Sequence, residues 1–411
     1  MVAAACPPHF ADDAGIGLES GNSADAIVID SGDSSRLCSV TRAAVPAGSR
    51  TPPRFRPFTI SIGTSGRPTV DGAVLPTQRS AATTVSAPPS APPPPMRERV
   101  LVALAIATAA GLLSLYMIQR PAFWPDFVYP WHAARLWSAG IDPYHAIAEI
   151  RKEPFTVPLY YPFPTVLAAW PVSGLPLHQA GAVFMASSCG LLAFLLTRGG
   201  WWRLWMLANP GLVLALGVGQ FSPLLAAAAV VPAFGWFGML KPNIGLALLA
   251  SRFSWRTTLI MGSIGIASVL ILPTWPLAWL HGLQTLEGHA PPVWGSAAVG
   301  LVALTRWRRS DARLLVAMLC VPQLLFFMDQ LPLQSVARTR QEQAMLALMA
   351  SLGFLAFVVW AWQHPLQPYV PMAQNFVLVS CYVPALVLIM RRPGSDGEPP
   401  VRSDLQRDES V

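Results

Sequence analysis

Long runs of apolar residues, separated by short polar breaks, dominate the chain from residue 101 onward. The first run, Leu101–Ile118, holds eighteen residues without a charge, enough to cross about 30 Å of hydrocarbon as an α-helix. Further apolar runs cover residues 159–175, 177–197, 201–217, 220–239, 242–251, 255–273, 293–306, 312–331, 344–363 and 369–390. Several are too short to span alone, so Asn209-Pro210 and Lys241-Pro242 are interpreted as kinks within longer helices. The pattern predicts an all-α polytopic membrane protein with about eight to eleven transmembrane helices.

The segments on either side of these runs are polar. Residues 1–96 are rich in Pro, Ser, Ala, Thr and Gly, contain the run SAPPSAPPPP, and show no helical or strand period. Such a composition buries too little apolar surface to offset the entropy lost on ordering, so we expect disorder there and in the polar tail 392–411. Because Met96-Arg97-Glu98-Arg99 is typical of the start of an inserted membrane protein, residues 1–95 are also interpreted as an over-extended gene start. The membrane domain is predicted to cover residues 97–391.

Charge is sparse and unevenly placed along the chain. The 411 residues are 53% hydrophobic and only 12% charged, against roughly 25% charged residues in soluble proteins. The net charge of +7 arises mainly between residues 100 and 390, which hold fifteen Lys or Arg and eight Asp or Glu. Basic loops are typical of the cytoplasmic side of a membrane, and no basic patch carries the interleaved aromatic residues of a nucleic-acid site. Arg97 and Arg99 therefore predict a cytoplasmic start for the first span and an extracytoplasmic position for the residues after it.

The cysteines indicate neither a zinc site nor a disulfide framework. The five positions are Cys6, Cys38, Cys189, Cys320 and Cys381. No two of them form a CxxC pair, and the last three lie inside apolar runs, where we interpret them as small buried hydrophobic residues. No metal site and no cofactor are expected from the sequence, and a divalent metal ion stays open as an alternative.

A short polar stretch after the first apolar run, Phe123–Tyr144, gathers the residues that could carry chemistry. Asp126 lies eight residues beyond the end of that run and is flanked by aromatic residues of the kind found where lipid meets water. His132 and Arg135 are three residues apart, so on a helix they share a face. A carboxylate, an imidazole and a guanidinium in one interfacial loop are suited to moving a proton beside a bound anion.

Motifs of the common soluble enzymes are absent from the sequence. It contains no GxGxxG opening a βαβ unit, no GxxxxGK[ST], no HExxH and no GxSxG. It also lacks DxD, the carboxylate pair with which many glycosyltransferases hold a metal ion on a nucleotide-diphosphate sugar. A lipid-monophosphate donor needs no such pair. Its long polyprenyl tail keeps it in the bilayer, because each buried CH₂ contributes about 0.8 kcal/mol.

Four segments between residues 100 and 252 carry a resemblance to a known family. They read PDFVYPWHAARLWSAGIDPY, YYPFPTVLAAWPVSGLP, LANPGLVLALGVGQFSPLLAA and MLKPNIGLALL. In order and spacing they resemble glycosyltransferase family 87, the bacterial membrane mannosyltransferases, although this chain has Y-P-F-P where the family has Y-P-P. The resemblance implies a GT-C fold and a polyprenyl-phosphate-linked sugar donor, typically of mannose. It also implies inverting transfer to a glycan or lipid acceptor on the extracytoplasmic face of the bacterial cell (inner) membrane.

The resemblance also assigns roles to individual residues. Asp126 matches the family's acidic residue after the first span, which implies a general base for the acceptor hydroxyl; an exposed loop Asp or a helix cap is the alternative. Arg135 of A-A-R and Lys241 of K-P become candidates to bind the donor phosphate. The alternatives are a positive anchor in an interfacial helix for Arg135 and a charge in a cytoplasmic loop for Lys241. Further candidates for substrate or donor contacts are His132, Tyr144, Tyr161, Asn209 and Gln220. The alternatives are surface packing for His132, a turn for Tyr144 and an aromatic belt at the membrane interface for Tyr161. For Asn209 and Gln220 the alternative is a buried polar group paired between helices.

Two other classes of function stay open on the sequence. A transporter or lipid-linked glycan flippase would place ionisable residues near the bilayer midplane in broken helices, and Asp329, inside an apolar run, favours that interpretation. A non-catalytic membrane scaffold is the third class. Transfer of label from polyprenyl-phosphate-mannose to an acceptor is expected of the glycosyltransferase alone.

Overall fold

The described residues form helices and no β-strand. The structure, a computed structural model, describes residues 94–119, 126–150, 155, 157–285, 291–292, 295–364 and 369–392. Its α-helices are α1 (Met96–Ile118), α2 (Val128–Ser138), α3 (Pro143–Ile150), α4 (Phe163–Ala169), α5 (Leu177–Leu196), α6 (Pro210–Val218), α7 (Ser222–Val230), α8 (Pro242–Ser251), α9 (Trp255–Ile271), α10 (Trp275–Leu283), α11 (Ser310–Cys320), α12 (Arg340–Gln363), α13 (Tyr369–Val377) and α14 (Val383–Arg391). The predicted all-α class is confirmed.

Tighter and wider helical segments connect these helices. The 3₁₀ segments are Trp170–Val172, Thr197–Gly199, Trp201–Leu207, Pro232–Leu240, Ser296–Arg306 and Phe327–Val336. A π-helical turn, Leu378–Tyr382, joins α13 to α14. The segments predicted to be disordered, 1–96 and 392–411, lie outside the described residues except for residues 94–96 and 392.

Among the described residues, four helices are long and apolar enough to cross a membrane. They are Met96–Ile118, Leu177–Gly199, Arg340–Gln363 and Met372–Arg391. The pair α9 and α10 together meets the same test but bends by 105° at the break between the two helices. The described part of the chain therefore has the helices of a membrane protein, with fewer long continuous ones than the predicted eight to eleven spans.

Proline accounts for much of this difference. Helices α6, α7 and α8 contain only nine or ten residues, and each has a proline in its first turn: Pro210, Pro223 and Pro242. Proline fixes φ and lacks an N–H group, so it suits a first turn and interrupts a helix interior. Nine or ten residues cover about 15 Å, half of the hydrocarbon core. The interpretation of Asn209-Pro210 and Lys241-Pro242 as kinks within long helices is therefore wrong, because both start separate short helices.

Helices α1 and α5 pack against each other in antiparallel orientation. A Cβ added to Gly190 would lie 2.9 Å from the Ala107 Cβ, so the glycine lets the two helices approach closely. At the start of α1, the Arg99 guanidinium donates to the Phe194 carbonyl at 3.0 Å, near the end of α5. The start of α1 and the end of α5 therefore lie together, and the opposite end of α1 leads toward Asp126.

Ion pairs connect three helix termini. We call the residues that form them the Asp311 cluster: Asp311, Arg309, Arg338, Glu342 and Arg392. The Asp311 carboxylate lies 2.7 Å from Arg309, 2.6 Å from Arg392 and 3.3 Å from Arg338. Arg392 also contacts Glu342 at 2.7 Å, the third residue of α12, which forms a capping box with Thr339. Burial alone raises the pKa of Asp311, but the bonds and charges of the arginines outweigh burial and hold its pKa below the ordinary value. The cluster ties the starts of α11 and α12 to the end of α14.

Helices α8 and α11 run from the region of this cluster to the opposite end of the bundle. The Ser251 carbonyl at the end of α8 accepts from the Arg313 Nε at 3.0 Å, near the start of α11. The other ends of these helices, at Pro242 and at Val321 directly after α11, line a single cavity. The length of α8, about 15 Å for its ten residues, therefore separates the arginines from the cavity.

Candidate active site

A cavity of about 650 Å³ lies at the end of the bundle opposite the Asp311 cluster. Its polar lining consists of Asp126, Tyr129, Tyr160, Tyr161, Gln220, Lys241, Asn243 and Asp329. The remaining lining residues are apolar: Val157, Pro158, Pro162, Leu240, Pro242, Leu246, Trp279, Leu283, Val321, Pro322, Leu324 and Met328. The cavity thus combines ionisable groups with an apolar wall, which suits a ligand that has a charged head and an apolar tail.

Backbone contacts with α6 fix the position of Asp126. The next residue, Phe127, donates its N–H to the Val218 carbonyl at the end of α6, at 3.2 Å. Gly219 caps this helix with a φ of 70°, a left-handed conformation that favours glycine. A Cβ at Gly219 would lie 2.6 Å from the Phe127 Cβ, so a larger residue would push the Asp126 segment away. The last turn of α6 therefore holds the carboxylate at the cavity.

The side-chain amide of Gln220 connects Asp126 to Tyr161. Gln220 follows the α6 cap, is 3% exposed, and donates its Nε2 to the Asp126 carboxylate. The same amide nitrogen donates to the Tyr161 hydroxyl at 3.3 Å. No described group pairs with the buried amide oxygen of Gln220. Carboxylate, amide and phenol thereby form one connected group on the cavity lining.

Burial controls the protonation of this group. Burial raises the pKa of Asp126 and Asp329 adds to the rise, whereas Lys241 and the amide of Gln220 counteract it. Burial likewise raises the pKa of the Tyr161 phenol well above its usual value, so the phenol stays protonated. A carboxylate with a raised pKa binds a proton more tightly than an ordinary aspartate. Asp126 is therefore a stronger base than an ordinary aspartate, a property that favours proton uptake from a hydroxyl group.

Lys241 and Asp329 form an ion pair in the cavity lining. The Lys241 Nζ is 2.6 Å from the Asp329 Oδ1, and the two side chains are 19% and 4% exposed. Lys241 stands between the 3₁₀ segment Pro232–Leu240 and α8, and Asp329 belongs to the 3₁₀ segment Phe327–Val336. Among the described residues that line the cavity, Lys241 alone is cationic. Its ammonium is the group available there to bind a phosphate.

Arg135 and His132 lie on α2, outside the cavity lining. Arg135 is exposed, and its guanidinium carbon lies 4.9 Å from the centre of the Trp131 ring. The His132 ring is 4.7 Å from the Phe155 ring, and burial, together with Arg135, lowers the pKa of His132. The structure therefore brings neither of these predicted site residues to the Asp126 carboxylate, and both pack against aromatic rings.

Tyr144 and Asn209 contact backbone groups instead of the cavity. The Tyr144 hydroxyl donates to the Tyr161 carbonyl at 2.8 Å and so fixes the backbone of a lining residue. The buried Asn209 side chain caps α6 by accepting from the Gly211 N–H at 2.7 Å. The predicted site residues that line the cavity are Asp126, Tyr161, Gln220 and Lys241.

Other lining residues were not predicted as site residues. The indole N–H of Trp279 on α10 donates to the Tyr160 carbonyl at 2.9 Å, and the Asn243 amide donates to the Pro322 carbonyl at 2.9 Å. Asn243 follows Lys241-Pro242 directly, so its proximity to the lysine was the available signal. Nothing in the sequence of α10 marks Trp279, because the residues it approaches come more than a hundred positions earlier.

In the described ranges, no three or more His, Cys, Asp or Glu side chains lie close enough together to hold a metal ion. No protein-family model, curated protein or solved structure matches the chain. The chemistry of the site is that of a buried carboxylate, an ammonium ion and an apolar wall in one cavity.

Proposed function

We propose that the protein is a membrane glycosyltransferase with a GT-C-like bundle. It transfers a sugar, mannose in the family it resembles, from a polyprenyl-phosphate carrier to a glycan or lipid acceptor. The observation that carries this proposal is that Asp126 and Lys241 line the same cavity. Transfer from a sugar phosphate needs a base for the acceptor hydroxyl and a positive group for the departing phosphate, and these two residues supply them.

The proposed chemistry is a single displacement with inversion at the anomeric carbon. The acceptor oxygen forms a bond to that carbon while its proton passes to the Asp126 carboxylate. The bond between the anomeric carbon and the phosphate oxygen breaks, and its electron pair leaves with the carrier phosphate. Lys241 stabilises the negative charge on this phosphate, and the amide of Gln220 orients the Asp126 carboxylate.

The apolar wall of the cavity supports a lipid-borne donor. Leu246 on α8 lines the cavity and is also 58% exposed, so the cavity wall continues onto the outer surface of the bundle. Helix α10 contributes Trp279 and Leu283 to the cavity, and its Leu277 and Leu280 are exposed. Exposed leucines at these positions are suited to contact with lipid. We infer that the polyprenyl tail lies between α8 and α10, with its phosphate at Lys241.

The arginines at the far end of the bundle support an extracytoplasmic site. Arg99 at the start of α1 and the arginines of the Asp311 cluster lie at helix ends opposite the cavity. Basic residues concentrate on the cytoplasmic side of bacterial membrane proteins. This distribution favours a multi-pass protein of the cell membrane whose cavity opens on the extracytoplasmic side, where the lipid-linked donor and the acceptor would meet.

A transporter or lipid-linked glycan flippase is the second candidate. The Lys241–Asp329 ion pair lies beside the short, proline-initiated helices α6 to α8, and ionisable groups beside broken helices are a feature of transporters. Such a protein would move its lipid substrate across the membrane without breaking the bond between sugar and phosphate. Its product would be chemically identical to its substrate.

Incubation of membranes with radiolabelled polyprenyl-phosphate-mannose distinguishes these functions. The glycosyltransferase is expected to move label from the carrier lipid to an acceptor in the membranes. A flippase would move intact labelled lipid between the leaflets, and a scaffold would do neither. Wild-type membranes that transfer no more label than membranes lacking the protein would reject the proposed activity.

A further inference from the structure

Lys241 depends on a partner for its position in the cavity. A lysine ammonium is a compact charge with three N–H donors on a flexible stem, so an isolated lysine is poorly oriented. One donor is directed to Asp329 at 2.6 Å, and the side chain stays partly exposed where it lines the cavity. Two N–H donors then remain for an anion, while the third holds the ammonium in place.

Asp329 is itself held firmly by its surroundings. Its side chain is 4% exposed, and its backbone N–H donates to the Phe326 carbonyl at 3.3 Å. The 3₁₀ segment that carries it packs directly on α6, since a Cβ at Gly211 would lie only 2.5 Å from the Phe327 carbonyl oxygen. Close contact of two backbones leaves the segment little freedom to move. The carboxylate is therefore a fixed acceptor, and the flexible lysine is the group that gains order from the pair.

We propose that Asp329 is a positioning residue, which holds the Lys241 ammonium where the donor phosphate binds. This inference rests on the proposed function and adds the group that orients the phosphate-binding lysine. The Asp329 carboxylate pairs with an ammonium, whereas the Asp126 carboxylate is bonded to a neutral amide and is the one left to accept a proton. The pair also offsets the cost of moving the ammonium out of water into a partly buried site.

A double-mutant cycle on transfer kinetics tests this role. Asp329→Ala and Lys241→Ala are each expected to lower kcat/KM for radiolabelled polyprenyl-phosphate-mannose by roughly tenfold or more, the effect of one charge-assisted hydrogen bond. Because Asp329 acts through Lys241, the double variant should match Lys241→Ala to within about twofold. Asp329→Asn keeps an oxygen acceptor for the ammonium and should recover part of the loss.

Gln330→Ala provides a matched structural control in the same 3₁₀ segment. Gln330 is buried and contacts the Gln323 side chain at 3.1 Å and the Tyr382 hydroxyl at 2.7 Å. Its replacement disturbs the packing of the segment without removing the partner of Lys241, so its effect on kcat/KM should multiply with that of Lys241→Ala. The same multiplicative behaviour for Asp329→Ala, or unchanged kinetics in that variant, would overturn the positioning role.

The two proposals fail in distinguishable ways. Absence of transfer by the wild-type protein rejects the glycosyltransferase function, and the positioning role falls with it. Transfer by the wild type together with a multiplicative cycle rejects the positioning role alone. If Asp329→Ala does not accumulate in membranes, Asp329→Asn takes its place in the cycle, and full wild-type kcat/KM in that variant would also overturn the role.

Discussion

Replacement of Asp126 by asparagine would separate the chemistry of the site from its structure. Asparagine has nearly the same size as aspartate and keeps an oxygen that can accept from the Gln220 amide. The backbone bond from Phe127 to Val218 and the contact with Gly219 do not involve the carboxylate, so both persist. The variant should therefore fold like the wild type and lose only its capacity to take up a proton.

The expected loss of rate follows from the role of a general base. A positioned base contributes about 10²–10⁴-fold to the rate. At 1.36 kcal/mol per tenfold, this corresponds to roughly 3–5 kcal/mol in the activation barrier. Burial raises the pKa of Asp126, and a stronger base accelerates proton removal more. We therefore expect Asp126→Asn to fall in the upper part of this range.

The assay is transfer of label from polyprenyl-phosphate-mannose in membranes of a deletion strain that expresses each variant. Immunoblots of the same membranes correct for the amount of protein. Asp142→Asn is the matched control, because Asp142 bonds the Tyr144 N–H and the Thr274 hydroxyl and does not line the cavity. Its transfer rate should stay near that of the wild type. An Asp126→Asn rate within about threefold of the wild type would refute the general-base role.

Three further outcomes can be measured on the same protein. In a pH–rate profile, kcat/KM should rise with pH through the raised pKa of Asp126, because only the deprotonated carboxylate accepts a proton. Gln220→Leu removes a hydrogen bond that lowers the pKa of Asp126, so the midpoint of this rise should move to higher pH. In donor kinetics, Lys241→Ala should lower kcat/KM by roughly 10–100-fold, and Arg135→Ala, outside the cavity, by less than about threefold. In thermal unfolding of the purified protein in detergent, Gly219→Ala should lower the Tm, because left-handed backbone and steric overlap together cost roughly 1–3 kcal/mol. The pH prediction would be contradicted by a midpoint that falls in Gln220→Leu. Equal losses of kcat/KM in Lys241→Ala and Arg135→Ala would contradict the second prediction, and an unchanged Tm in Gly219→Ala the third.

The apolar pattern predicts the fold class and the first span well. The predicted span Leu101–Ile118 ends at the same residue as α1, because a charge-free run of this length has few alternatives to a membrane helix. The pattern overstates the number of long helices, because hydrophobicity alone does not distinguish a kink within a helix from the start of a new helix. At Pro210 and Pro242 the backbone before the proline leaves the helical conformation, so short helices begin there.

The candidate site follows only partly from the sequence. Resemblance singles out Asp126, Gln220 and Lys241, but their meeting in one cavity depends on tertiary packing, since Asp126 and Gln220 are 94 positions apart. His132 and Arg135 follow the helical spacing on α2, yet they do not reach the cavity. Helical spacing shows which residues are neighbours on a helix and does not show what that face contacts.

The Asp311 cluster sets an order in which the bundle can be completed. Arg392 reaches Asp311 across 81 positions of sequence, so the ribosome has made every helix described before that contact is possible. Until then the carboxylate has Arg309 and Arg338 as partners, and α14 has no ion pair to hold its end. The contact between Arg392 and Asp311 therefore forms only after α14 has been synthesised. A purification tag or reporter joined directly to Arg392 would crowd its contacts with Asp311 and Glu342, so a fusion partner should be attached through a spacer.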